Sequence, residues 1–172
     1  MPPHHEGQQR ARAPVLRCGS HNVNGLTAGA RVGLAAADWQ LAGYHLVLVQ
    51  ETHLTLFSAV KVQQQLGRLG WKCYFAHSPP GPAGRPRGGT AILLRSALVR
   101  DGTFAVAGGE AAVQRHTEGR YIALPVRWSG HRLHVCTIYM PNDSTSQRRL
   151  IADALGPLAP SAGTRQLLCP LP

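Results

Sequence analysis

The sequence predicts a mixed α/β domain, and three observations lead there. Between residues 15 and 76, strand-like and helix-like segments alternate, which implies parallel strands joined by crossover helices. From residue 90 to residue 139, strand-like segments follow one another without helices, which implies antiparallel pairing. The chain has 172 residues, 44% of them hydrophobic. That is enough for one domain to bury about two-thirds of its unfolded surface without a disulfide scaffold.

Taken in order, residues 1–14 are polar and carry Arg10 and Arg12. They read as a disordered basic arm and lack the apolar stretch of a secretory signal. Residues 15–23 read as a strand closing in a turn at Asn24-Gly25. The Ala/Leu-rich residues 30–42 read as a helix ending at Gly43. Leu46-Val47-Leu48-Val49 is a run without alternation, the pattern of a strand buried on both faces. A second helix is expected over 56–69 and a strand over 71–76. Residues 78–89 hold four prolines and four glycines and read as a loop. A short apolar strand follows over 90–94, then a weak strand and loop over 101–117. Residues 119–128 and 131–139 read as strands joined by a Ser129-Gly130 hairpin turn. A last helix is expected over 146–158, capped by Asp143 or Ser144. A final strand begins near Gln166, and the domain is bounded at 15–168 with 169–172 as a tail.

The charge balance is 18 basic against 8 acidic residues, a net +10. Such an excess suits a polyanionic partner such as nucleic acid or a membrane surface. Lys61 and Lys72 are the only lysines, so the charge is nearly all arginine. No apolar run reaches the roughly 20 residues of a membrane span, and none forms a basic amphipathic helix, so no membrane partner is expected. Cys18, Cys73 and Cys136 fall in strand-like segments without CxxC spacing. They read as small buried hydrophobes in a reducing compartment, and hence in an intracellular protein of nucleus or cytoplasm.

Three polar groups interrupt the apolar pattern where strands end, the place where α/β folds gather ligands. The first is Asn22-Val23-Asn24-Gly25-Leu26, where an amide oxygen can ligate a hard cation or orient a phosphate. The second is Gln50-Glu51-Thr52. A carboxylate leaving a buried strand is costly unless it meets a partner or a metal, and Mg²⁺ takes one or two carboxylates plus water and phosphate. The third is Tyr139-Met140-Pro141-Asn142. A phenol there can donate to a phosphoryl oxygen. His21, His53, His77, His116, His131 and His134 read as surface or strand histidines.

Together these segments resemble the endonuclease/exonuclease/phosphatase superfamily, which includes exonuclease III-like enzymes and the endonuclease domains of LINE-type retrotransposons. Asn22, Asn24, Gly25 and Leu26 match its first motif. Gln50, Glu51 and Thr52 match the second. Gly89 to Leu93, then Gly119-Arg120, then Tyr139, Pro141 and Asn142 follow in the family's order. Asn142-Asp143 followed by Gln147-Arg148-Arg149 is most similar to the retrotransposon branch. The resemblance implies a four-layer α/β/β/α sandwich and Mg²⁺- or Mn²⁺-dependent phosphoester cleavage, with no organic cofactor. It implies Asn22 and Glu51 at the metal, and Tyr139 and Asn142 as catalytic residues at the scissile phosphate. It also implies Asn24 and Asn142 as nucleic-acid-binding residues.

The family pattern continues with Gly-Asp-Phe-Asn, a later Asp and a final Asp-His. Here Gln166-Leu167-Leu168 leads into Cys169-Pro170-Leu171-Pro172. The expectation is therefore the N-terminal part of such a domain, with one sheet face left apolar and exposed, and with low or no activity. A catalytically dead nucleic-acid-binding remnant, or a relic without function, is the alternative.

Overall fold

The computed structural model describes residues 15–26, 29–81, 84–156 and 165–170. The basic arm read over residues 1–14 lies outside the described residues.

The first sheet holds β1 (Cys18–Asn22), β2 (Leu46–Gln50), β4 (Thr90–Arg95) and β3 (Trp71–Ala76), in that spatial order. Helix α1 (Gly29–Leu41) links β1 to β2, and α2 (Leu56–Arg68) links β2 to β3. The second sheet runs β5 (Phe104–Val106), β7 (Tyr121–Trp128), β8 (His131–Ile138), β9 (Arg165–Pro170). Within it, β6 (Gln114–Arg115) also pairs with β7. Helix α3 (Ser96–Arg100) follows β4, and α4 (Ser144–Leu155) lies between β8 and β9.

Three hydrophobic cores separate four layers. Val47 and Val49 of β2 pack with Val32, Ala36 and Trp39 of α1 and with Val62 and Leu66 of α2. Leu46 and Leu48 point the other way, into a core shared with Ile122, Leu124 and Val126 of β7 and Val135 of β8. Ala123, Cys136 and Ile138, on the far face of the second sheet, meet Leu150 and Ala154 of α4. The order is helix, sheet, sheet, helix. The four consecutive apolar residues of β2 thus serve two cores by strict alternation.

Elements form where local chemistry favours them. Thr55 and Ser58 make a reciprocal capping box at the start of α2. Asp143 caps α4, its Oδ1 accepting from the Ser146 amide at 2.7 Å. Ser129 and Gly130, with φ of 46° and 82°, give the two left-handed residues that a tight hairpin between Trp128 and His131 requires. Leu150 is the main anchor of α4, so Leu150→Ala should cost about 2–4 kcal/mol. Chemical denaturation would check this; an unchanged midpoint would mean that α4 is not docked.

Four expectations are corrected. Parallel pairing holds for β1 with β2, but β4 inserts between β2 and β3, antiparallel to both. The α2 crossover leads to a strand parallel to β2 but not its neighbour, because the 77–89 loop brings β4 back into the gap. Helix α3 is too short for any periodicity to announce it; the Ser96 amide donates to the Gly70 carbonyl at 2.9 Å. Cys73 and Cys136 are buried, but Cys18 is exposed. It lies on β1, an edge strand whose one buried residue is Gly19. Burial pushes the Cys136 thiol up to about 12 and raises Cys73 further. Finally, the exposed large apolar residues include Leu34, Leu41, Leu56, Phe57 and Val60, which lie on α1 and α2. The outer face of the second sheet beyond α4 instead carries Pro125, Arg127, Arg132 and His134. No described helix is long and apolar enough to cross a membrane.

Candidate active site

The site forms where three strands of two sheets end together. Asn22 closes β1, Glu51 follows β2, and Tyr139 follows β8. The parallel ladder continues past the strands. The amides of Val23, Gly25 and Leu26 donate to the carbonyls of Gln50, Glu51 and Thr52 at 3.1, 2.6 and 2.9 Å. On the other side the amides of Thr52 and His53 donate to Gly89 and Gly88 at 3.0 and 2.9 Å. Asn24, Glu51 and His53 take positive φ values of 45°, 53° and 53°. Left-handed non-glycine residues are costly and cluster where surrounding structure enforces them. Of the three, His53 pairs with the close loop of Gly88 and Gly89.

Gly89 has no room for a side chain: a Cβ there would collide with Thr52 Oγ1 and lie 2.5 Å from Ser78 Oγ. The hydroxyls of Thr52, Ser78 and Thr90 are buried without a partner among the described residues. Gln50 is fully buried and ties the sheets together. Its Nε2 donates to Thr137 Oγ1 on β8 at 2.6 Å and to Ser20 Oγ on β1 at 3.2 Å.

Around Glu51 the polar contacts converge. Asn22 Nδ2 donates to Glu51 Oε1 at 3.0 Å, and Asn22 Oδ1 accepts from the Asn24 amide at 3.1 Å. His53 Nε2 lies 3.8 Å from Glu51 Oε2. Burial first, then the Glu51 charge and its hydrogen bond, raise the Tyr139 phenol above its ordinary range; Arg120 and Arg87 pull it back. The Arg120 guanidinium lies 5.2 Å from the centre of the Tyr139 ring. Together Asn22, Gln50, Glu51, Tyr139, Asn142 and Gln147 help line an open cavity of about 340 Å³.

The structure therefore brings Asn22, Glu51, Tyr139 and Asn142 to one cavity. Asn24 stands just outside its lining, its amide held by Asn22 and its carbonyl accepting from Arg31 Nη1 at 3.0 Å. His53 is corrected from a bland surface residue to the neighbour of the Glu51 carboxylate, and His21 accepts from Trp39 Nε1 at 3.0 Å. The sequence did not single out Arg87, because it sits in a loop without periodicity. Nor did it show Gln50 as the tie between sheets, since its partner Thr137 is 87 residues away.

The donors here suit a hard cation. They are one carboxylate and amide oxygens. Gln50 Oε1, on the same wall, is buried without a partner among the described residues. Mg²⁺ accepts such a sparse oxygen set because it keeps much of its water. No group of three or more His, Cys, Asp or Glu residues able to hold a metal occurs among the described residues.

No family model and no curated protein matches the chain. Solved structures do. A mannosyl-6-phosphatase, Bt3783, from Bacteroides thetaiotaomicron VPI-5482 aligns with TM-score 0.63 at 11% identity, over 90% of this chain and 64% of that one. An endonuclease/exonuclease/phosphatase family protein from Leptotrichia buccalis C-1013-b aligns with TM-score 0.60 at 13% identity, over 90% and 66%. D. rerio TDP2, complexed with a single-strand DNA product, aligns with TM-score 0.60 at 16% identity, over 89% and 58%. The chain spans between about half and two thirds of the length of the structures it resembles. Likeness at these identities shows the fold: two packed sheets flanked by helices, of the endonuclease/exonuclease/phosphatase type.

Proposed function

We propose that the cavity at Asn22, Glu51 and Tyr139 is a Mg²⁺-dependent phosphodiesterase site of the endonuclease type that acts on DNA with low turnover. The observation that carries this reading is the Glu51 carboxylate, fixed by Asn22 and lining one cavity with Tyr139, at the open junction of three strand ends. Glu51, with Asn22, would hold Mg²⁺ or Mn²⁺. When bound, the cation supplies positive charge beside a phosphoryl oxygen. The Tyr139 hydroxyl and the Asn142 amide are then the donors for the scissile phosphate. Asn24 is placed for a neighbouring phosphate of the strand. Arg87 and Arg120 add a positive field at the phenol, which suits an anionic substrate.

Low turnover follows from the donor set. Among the described residues lining the cavity, Glu51 is the sole carboxylate. Phosphoryl transfer depends on positioning and charge stabilisation at the attacked phosphate. Among the described residues, His53 is the one imidazole beside Glu51. The Asn142-Asp143 segment supports an origin in the retrotransposon branch, and a DNA substrate would place the protein in nucleus or cytoplasm. The D. rerio TDP2 complex, with its DNA product, supports DNA over the sugar phosphate that Bt3783's name denotes.

Purified chain incubated with abasic or supercoiled DNA and Mg²⁺ should nick slowly, and chelation should stop it. Tyr139→Phe should lower the rate by about 100-fold, the cost typical of one lost donor at developing charge. Nicking unchanged by Tyr139→Phe would overturn the proposal. DNA binding without nicking would favour the alternative, a binding remnant, which the single carboxylate also fits.

A further inference from the structure

We propose that the hairpin end of the second sheet is a separate site for the phosphate backbone of a nucleic-acid strand, built on Arg127 and Arg132. It goes beyond the catalytic cavity. Arg132 lies near the start of β8 and Tyr139 just past its end, a separation of about 23 Å along the strand.

Alternation fixes the faces. Leu124, Val126, Leu133 and Val135 point into the core between the sheets, while Ala123 and Cys136 point outward to α4. Arg127, Arg132 and His134 therefore face outward, on the part of the sheet that α4 leaves open. Arg127 and Arg132 are direct cross-strand partners. Side chains so placed start about 5 Å apart, and like charges there repel. Neither guanidinium makes a hydrogen bond or an ion pair among the described residues. With His134 they line a groove of about 450 Å³ whose described lining contains no acidic residue. Folding gains nothing from this pair, and one bound anion would relieve it. Guanidinium forks are suited to the oxygens of a phosphate.

Arg17 and Arg95 add positive charge at the same end of the molecule, beside His45, which favours a polymeric anion. Trp128, next to Arg127, stacks on His45 at 5.3 Å between ring centres. His45 is held below its ordinary range by burial, then by the Arg17 and Arg95 charges beside it. His131, the cross-strand partner of Trp128, is exposed at the tip. Preferring nucleic acid to an acidic peptide rests on the reading of the cavity as DNA-acting.

Fluorescence anisotropy of the full chain with a labelled oligonucleotide, in chelator across a salt series, tests this. In the double variant Arg127→Gln/Arg132→Gln, binding should weaken. The slope of log K against log salt should become shallower by about 1.4 to 1.8, the release expected for two lost phosphate contacts. Arg132→Glu should weaken binding while raising Tm, because it replaces a repulsive pair by an attractive one. Unchanged affinity and slope in the double variant, or a lower Tm in Arg132→Glu, would overturn the proposal. So would complete competition by inorganic phosphate at equal phosphate concentration, or equal competition by polyglutamate. The nicking assay on Tyr139→Phe reads the cavity separately. Loss of the slope effect with nicking intact would sink this site alone, and the reverse result would sink only the catalytic reading.

Discussion

Glu51→Gln is expected to abolish Mg²⁺-dependent nicking while the domain stays folded. The substitution keeps the side chain's shape and removes its charge. Its Oε1 can still accept from Asn22 Nδ2, the 3.0 Å contact that fixes the side chain. What is lost is the one carboxylate among the described residues of the cavity, the proposed anionic ligand. Losing even an outer partner of a metal ligand costs 10- to 100-fold, so losing the ligand itself should cost at least about 100-fold in affinity or rate. Calorimetric titration with Mg²⁺ and plasmid nicking measure the two consequences. Nicking that survives Glu51→Gln would place the chemistry elsewhere.

Gly89→Val is expected to unfold the protein, for reasons of space and backbone. Gly89 has φ of 83°, which β-branched residues avoid, and its Cβ direction is filled by Thr52 and Ser78. Overpacking costs about 1–3 kcal/mol, and enforcing a left-handed conformation about 1–3 more. The sum is a large share of the 5–15 kcal/mol typical of a domain. Expression should move to the insoluble fraction, and Gly89→Ala should lie between the two. Gly67 is the control. It sits in α2 with nothing within 4 Å of an added Cβ, so Gly67→Ala should stabilise by about 0.5–1 kcal/mol. A Gly89→Val protein with an unaltered denaturation midpoint would show that the Gly88-Gly89 loop does not pack on Thr52 as described.

Much of the architecture was legible because it rests on local signals. The run Leu46 to Val49 has four apolar residues without alternation, and both of its faces are buried. Asp143 caps the helix that follows it. Ser129-Gly130 turns the hairpin between β7 and β8. The three polar interruptions at strand ends were visible for the same reason: a carboxylate or an amide breaking an apolar run stands out along the chain.

What sequence by itself determined was which segments form strands, helices, caps and buried runs, together with the residue types at the strand ends. Tertiary structure decided how those ends meet. Strand β4 entering between β2 and β3 is a non-local choice, set by where the 77–89 loop delivers it rather than by any residue's propensity. Gln50 reaching Thr137 joins positions 87 residues apart, and no pattern along the chain encodes that bond. His53 beside Glu51, and Arg87 and Arg120 acting on Tyr139, arise because the turns after β2 and β8 close on the same opening. The Arg127 and Arg132 pair depends on register, since shifting the pairing of β7 and β8 by one residue would send one of the two into the core. Local chemistry fixes elements within a few residues. Contacts between distant residues are chosen only when the sheets pack, because only then does burial reward one register over its alternatives.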